Sequence, residues 1–488
     1  MIGYICITTI NSELLIYKGF KIINIIALFI TMQYNSLIFK KHEEFTVNTF
    51  VITLLTFYLA FTIKVLLSQE NVILLIERYF DNIGIFAILI ALSTVIILRY
   101  IQNMKLKYIK FISLFLVVTS ISFIIFLESR TAIITLLSYV TFSCLKYIKQ
   151  KTIKIISVCA LCLFVIVLAM LIKQDSSYGR FLIWKTASYI IKDNPIYGVG
   201  YDNFASVYPI YQASMYETNK MSSKDIYVAD NTKMALNEYI QITAELGFIG
   251  FVLLILIIST YVYYNYKYIY VYLCICISMF FSYILHSSII CYLLIVVLSL
   301  SYTPSIFKLN RLSSLIVLFL CMLLSVYSVG ICLYKLNREK MISMLWVQSP
   351  DKLNIFYNIN ERYLCDNYKL VFKLAEYNYI HNNIDQSLML LNQLDNTIIR
   401  NEIELLKGKC YIKKGDYNLA EKHLLLSVAI CPNRFINRYD LFKLYLNNKM
   451  EKKAIEVAMI IHNMEEKVPS IHTMAIKNDI LNYLDDKK

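Results

Sequence analysis

Apolar runs of about 20 residues, the length an α-helix needs to cross roughly 30 Å of bilayer hydrocarbon, recur along this chain. They fall near residues 2–17, 20–39, 46–67, 82–98, 108–127, 130–148, 154–172, 245–265, 268–286, 288–305 and 312–334. Between residues 173 and 244 that pattern gives way to a mixed polar stretch, and beyond about Pro350 to amphipathic helical spacing rich in Asn, Lys, Asp and Glu. The pattern predicts an all-α protein in two parts. Residues 1–335 form a polytopic transmembrane bundle of about ten or eleven spans, with a large loop at about 173–244. Residues 350–488 form a separate soluble helical domain.

Within the second part three stretches look alike: "YIHNNIDQSLMLL", "YIKKGDYNLAEKHLL" and "YLNNKMEKKAIEVA". Their small residues Ser387, Ala420 and Ala454 recur at intervals of 33 and 34. That period resembles tetratricopeptide repeats, in which each helix pair buries its apolar face only against its neighbours. Such an array offers a groove to a protein partner, or caps the membrane domain.

Composition agrees with lipid as part of the solvent: 58% of residues are hydrophobic and the mean hydropathy is +0.56. The net charge of +14 would fit a nucleic-acid partner if it were not distributed as it is. Lys40 and Lys41, Arg99 to Lys110, Lys146 to Lys154, Lys267, and Lys308 with Arg311 cluster at span ends and fall on one side if every span crosses. That is the positive-inside bias, so the basicity reports topology, and no nucleic acid is expected. Residues 173–244 and everything after Tyr334 then lie outside the cytoplasmic membrane. Most of the 12 Cys lie in or beside apolar runs, where Cys acts as a small hydrophobe, and no metal-ligand spacing is evident.

Charged groups at membrane boundaries are functional candidates. Glu128 and Arg130 stand where two spans meet; Arg130 either snorkels, pairs with Glu128, or binds. In the loop, an amphipathic helix is expected from about Tyr178 to Lys192, stopped by Asp193-Asn194-Pro195 and followed by a turn with Gly198 and Gly200. Phe181, Trp184, Ala187, Ser188 and Ile191 share one face that suits the membrane surface. Arg180 opens that helix, and a guanidinium donates two parallel hydrogen bonds to a phosphate, although it also fits a lipid headgroup or a stack on Trp184. At the loop's end Asn237, Gln241 and Glu245 are spaced by four and form a polar stripe descending toward the bilayer. His286, at the outer end of its span, reads as a lone structural histidine.

Three segments in order, "ESRTAIITLL", "GRFLIWKTASYIIKDNPIYGVGYDNFASVY" and "NTKMALNEYIQITAELGFIGF", resemble the O-antigen ligase and O-antigen polymerase superfamily of bacterial membrane glycosyltransferases. The resemblance covers about residues 100–330, and similar proteins sometimes carry tetratricopeptide tails. It implies an enzyme of the bacterial cytoplasmic membrane. Its donor would be a glycan on an undecaprenyl diphosphate carrier, passed with inversion and without a metal ion or other cofactor to an acceptor hydroxyl on a glycolipid, glycan or protein. Arg180 matches the family's loop arginine, thought to act on the diphosphate, and Arg130 matches the arginine of the "SRTA" segment. Trp184 and Gln241 join them as substrate-binding candidates, and Glu245 and Asn237 join Arg180 as catalytic ones.

One departure stands out. Ligases of the family typically carry a His-Asn pair at the loop's end, implicated in activating the acceptor; here the positions are Leu236-Asn237, and no His occurs between Lys173 and Ala244. Asn cannot act as a general base, so the acceptor proton goes elsewhere, to Glu245, Glu238 or His286, or its loss lags behind bond cleavage in a loose transition state. Two other classes compete with the enzyme: a transporter or flippase of lipid-linked glycans, expected to show repeated halves with broken helices at midplane, and a membrane-anchored scaffold acting only through its repeats.

Overall fold

The computed structural model describes residues 43–297 and 368–486, apart from residues 69–70, 81, 102–103, 172–173, 288–289, 292, 295–296, 396–397 and 468. The expected spans at 2–17, 20–39 and 312–334, and most of 288–305, lie outside the described residues. All regular elements among the described residues are helical.

The first part contains α1 (Glu43–Ser68), α2 (Val72–Phe80), α3 (Ile83–Tyr100), α4 (Lys107–Phe126), α5 (Arg130–Leu145), α6 (Lys151–Leu171), α7 (Gln174–Asp193), α8 (Phe204–Glu217), α9 (Ser223–Val228), α10 (Glu238–Tyr264) and α11 (Ile269–Phe281). Among the described residues α3, α4 and α10 are long and apolar enough to cross a membrane, and α5, α11 and the Val47–Ile63 part of α1 are shorter apolar helices. Burial sorts them. The apolar window of α3 is 78% buried and that of α4 only 33%, so α3 is the central post and α4 a peripheral one. Phe111, Leu114, Phe115, Val118 and Ile125 of α4 stay exposed as a continuous apolar band, the kind of surface that faces lipid or another apolar partner.

Around α3 pack α4, α5 and α11. Hydroxyl pairs lock neighbours together: Thr135 on α5 with Ser278 on α11 at 2.8 Å, and Tyr58 on α1 with Ser120 on α4 at 2.7 Å. Buried hydroxyls find each other because hydrocarbon offers them no other partner.

The loop is itself a small helical layer, with α7 packed on α8, α9 and α10. The buried side of α7 is Leu182, Thr186, Ala187 and Ile190, a different stripe from the expected membrane face, and Phe181 and Ser188 stay exposed. The reason is that α8 and α9 cover that stripe. Neither helix announces itself in the sequence, since α8 carries Pro209 inside it and α9 is six residues long.

The second part contains α12 (Tyr368–Ile380), α13 (Ile384–Gln393), α14 (Asn401–Lys414), α15 (Tyr417–Ile430), α16 (Phe435–Asn447), α17 (Glu451–His462) and α18 (Ile471–Asp485). Helices pack in successive pairs, α12 on α13, α14 on α15 and α16 on α17. Ser387, Ala420 and Ala454, the recurring small residues, are all fully buried. The second part sits directly on the loop. Gln212 of α8 is buried and donates from Nε2 to the Ile430 carbonyl at the end of α15 (2.6 Å), and Asn433 Nδ2 donates to the carbonyls of Tyr227 and Ala229. Ala213 joins Ala429, Ile430 and Cys431 in a common apolar cluster.

Candidate active site

The site is built on a break in α10. Gly247 has φ +65° and ψ −170°, which splits the helix into an outer segment from Glu238 and an inner apolar one. Broken helices expose backbone groups that need partners, and the turn after α7 supplies them. Val199 N–H donates to the Ala244 carbonyl (3.0 Å), Gly200 N–H to the Glu245 carbonyl (2.8 Å), and Phe248 N–H to the Pro195 carbonyl (2.8 Å). This close approach explains two glycines. A Cβ on Gly198 would lie 2.4 Å from the Glu245 backbone, and one on Gly247 2.0 Å from the Ile196 carbonyl oxygen. Both also have positive φ, which glycine adopts without steric cost.

Asn237 caps the outer segment, accepting from Ile240 N–H at 3.1 Å. Gln241 lies one turn on, accepting from Ala235 N–H and donating to Glu245 Oε1 at 2.7 Å. The other carboxylate oxygen of Glu245 accepts from Asp202 N–H at 3.0 Å. Asn237, Gln241 and Glu245 are therefore buried along one face, as their spacing predicts, with Gln241 and Glu245 hydrogen-bonded to each other.

Its deepest consequence is a residue that sequence spacing left isolated. α11 ends at Phe281, and the chain turns through a short 3-10 segment, Ile284–His286, beyond the end of that apolar helix. Glu238, fully buried, accepts from the backbone N–H groups of Leu285 and His286 and lies 3.1 Å from His286 Nδ1 through Oε2. On the ring's other side Nε2 is 3.7 Å from Glu245 Oε2, and it is buried without a hydrogen-bond partner. The Tyr201 ring stacks on the imidazole with centroids 6.1 Å apart. Burial disfavours the imidazolium, but the Glu238 and Glu245 carboxylates outweigh it and hold the His286 pKa well above its ordinary value. No spacing signal links His286 to Glu238, because the two are 48 positions apart and meet only in the fold.

Arg180 grips the same turn from the opposite end. Its NH1 donates to the Phe281 carbonyl at 2.7 Å, capping α11, while its Nε is buried with no hydrogen-bond partner. Burial and the nearby Arg130 guanidinium pull its pKa down to about 10, so it remains a cation at neutral pH. Arg130, at the start of α5, donates from NH1 to Ser177 Oγ (2.9 Å) and from NH2 to Ser176 Oγ (3.1 Å), which ties α5 to the first turn of α7. Trp184 spends its indole N–H on the Ala235 carbonyl (2.9 Å) and sets its ring edge-to-face against Phe280 at 5.8 Å. It braces α7 against the loop's end. Two arginines and an acid-imidazole-acid cluster thus flank one six-residue turn, Phe281–His286. A cationic side suits a polyanion, and an acidic side with an unpartnered ring nitrogen suits proton transfer.

Comparison with known proteins points the same way. No curated protein and no solved structure matches the chain. Residues 115–255 match the family model described as O-Antigen ligase, a stretch that runs from α4 through the break in α10 and contains Arg130, Arg180, Glu238 and Glu245 but not His286. Over those residues this helical membrane protein is similar to the O-antigen ligases.

Proposed function

We propose that the chain transfers a glycan from an undecaprenyl diphosphate carrier to an acceptor hydroxyl at the outer face of the bacterial cytoplasmic membrane. The observation that carries this reading is Arg180, whose buried Nε has no partner and whose neighbour is a second guanidinium, Arg130. Like charges brought together under partial burial repel, and the arrangement makes sense when an anion arrives between them. A diphosphate is that anion, and its departure from the sugar develops the charge that two arginines stabilise. Glu245 faces the acceptor, held by Gln241, and Asn237 caps the helix segment that carries both.

The match to O-antigen ligases supports the reaction class. The packing of the second part on α8 supports placing loop and tail on one side of the membrane, as the basic clusters do. In this reading the tail is a brace on the active-site loop, and its repeats resemble tetratricopeptide units.

The test is a glycan gel from a strain lacking the chain, complemented with wild type or Arg180→Ala. The reading predicts that wild type restores the transferred glycan, and that Arg180→Ala leaves it on the carrier while the protein accumulates normally in the membrane. Normal product from membrane-inserted Arg180→Ala contradicts it.

A further inference from the structure

We infer that Glu238 and His286 form the dyad that takes the proton from the acceptor hydroxyl, which sits between His286 Nε2 and the Glu245 carboxylate. This rests on the glycan-transfer reading above and adds the group that the sequence leaves open.

An imidazole serves as a base when one nitrogen is fixed by an acceptor and the other faces the reacting proton. Here Nδ1 is fixed 3.1 Å from Glu238 Oε2, and Glu238 is itself immobilised by two backbone N–H groups of the turn that carries the histidine. The remaining nitrogen, Nε2, is buried, on a side chain only 6% exposed, and has no hydrogen-bond partner. A buried polar atom left unsatisfied costs roughly 1–3 kcal/mol, which calls for a ligand or function. Glu245 Oε2, 3.7 Å away, is too far to be that partner but near enough that an inserted hydroxyl oxygen reaches both atoms at hydrogen-bond length.

The step balances as follows. The acceptor oxygen attacks the anomeric carbon and forms the new glycosidic bond. Its proton moves to His286 Nε2, and the bond from the anomeric carbon to phosphate breaks with its electron pair on the diphosphate. Glu238 accepts the Nδ1 hydrogen bond throughout, and Glu245 faces the resulting imidazolium, which releases its proton to water before the next turnover. The groups facing the ring are Glu238 and Glu245 from α10 and Tyr201 from the turn before α8; Asp202 reaches Glu245 through its backbone N–H, and Cys291 Sγ donates to the Leu285 carbonyl of the histidine's own turn. With two carboxylates raising the imidazole's basicity, turnover rises with pH up to that elevated value and then levels.

A purely structural histidine would lock the turn and do nothing else. Turnover is therefore measured in proteoliposomes containing carrier-linked glycan purified from cells lacking the chain, across pH, for wild type, His286→Gln and Glu238→Gln, together with donor binding. A base predicts about 10²- to 10⁴-fold lower turnover for His286→Gln, loss of the pH-dependent limb, and unchanged donor binding. It also predicts partial rescue of His286→Ala by added imidazole. Should the glutamine variant not insert, the imidazole rescue and Glu238→Gln still decide: no rescue, with a wild-type pH profile in Glu238→Gln, overturns the dyad. Near-normal turnover in His286→Gln, with Arg180→Ala inactive, overturns the dyad and leaves the transfer reading standing. Normal turnover in Arg180→Ala removes the reading beneath it.

Discussion

Backbone conformation at two glycines sets what the side chains of the site can do. Gly198 and Gly247 let the turn after α7 press into the break of α10, and an alanine at either meets backbone at 2.4 or 2.0 Å. Adopting positive φ alone costs a non-glycine residue about 1–3 kcal/mol. Gly198→Ala and Gly247→Ala are therefore expected to lower the melting temperature in detergent and to abolish transfer together. Stable, active alanine variants would show the insertion to be dispensable. His286 makes a second prediction, through pH. Its pKa is raised in the fold, so the stabilisation from its carboxylates is fully present below about 6.5, the unperturbed value, and disappears as pH rises through the elevated folded value. Wild type should lose thermal stability over that upper window and His286→Gln should not. Much of this scale was legible in part. Arg180, Glu245 and the loop glycines stand in the sequence, but the glycines read as turn and packing residues, and Glu238 gains meaning only from a turn 48 positions later.

At the scale of elements, periodicity located several apolar helices. The expected spans at 82–98 and 108–127 correspond to α3 and α4, which are long and apolar enough to cross a membrane, and that at 130–148 to the shorter apolar α5. The loop helix expected from Tyr178 to Lys192 is α7. What periodicity missed is α8 and α9, which are buried against α7 and, for α8, also against α15, and so show no clean polar face. It also missed that α10 is two helices, since a single glycine inside an apolar helical run carries no mark of a break. Asn237 belongs to this scale, as the cap that starts the outer segment and so aims Glu238 and Gln241. Asn237→Ala is expected to cost about 1 kcal/mol of stability, and to lower turnover by more than that loss explains. An unchanged specific activity in folded protein would reduce Asn237 to a cap only.

For the whole molecule, the sequence left open whether the second part offers a groove or caps the first, and the structure seats it on the loop through α8. The sequence separates the two by a change of character at about Pro350, and nothing in either half forecasts that Gln212 reaches the last carbonyl of α15. Long-range polar pairs of this kind have no periodicity to betray them. The contact completes a chain of rigid pieces from the tail through α8 to the 198–203 turn, whose Asp202 N–H holds Glu245. Gln212→Ala would strand the Tyr208 hydroxyl and the Ile430 carbonyl, an expected cost of about 1–3 kcal/mol. Limited proteolysis should then release the tail faster, with reduced transfer. Unaltered proteolysis would mean that the interface does not depend on this residue.

The central claim is that Arg180 acts on a carrier diphosphate, and the most direct measurement is single-turnover transfer in proteoliposomes with carrier-linked glycan, comparing wild type with Arg180→Ala and Arg180→Lys. The account predicts glycan leaving the carrier with wild type, slow transfer with lysine because charge survives without the paired donors, and none with alanine. Equal rates from all three proteins would contradict it.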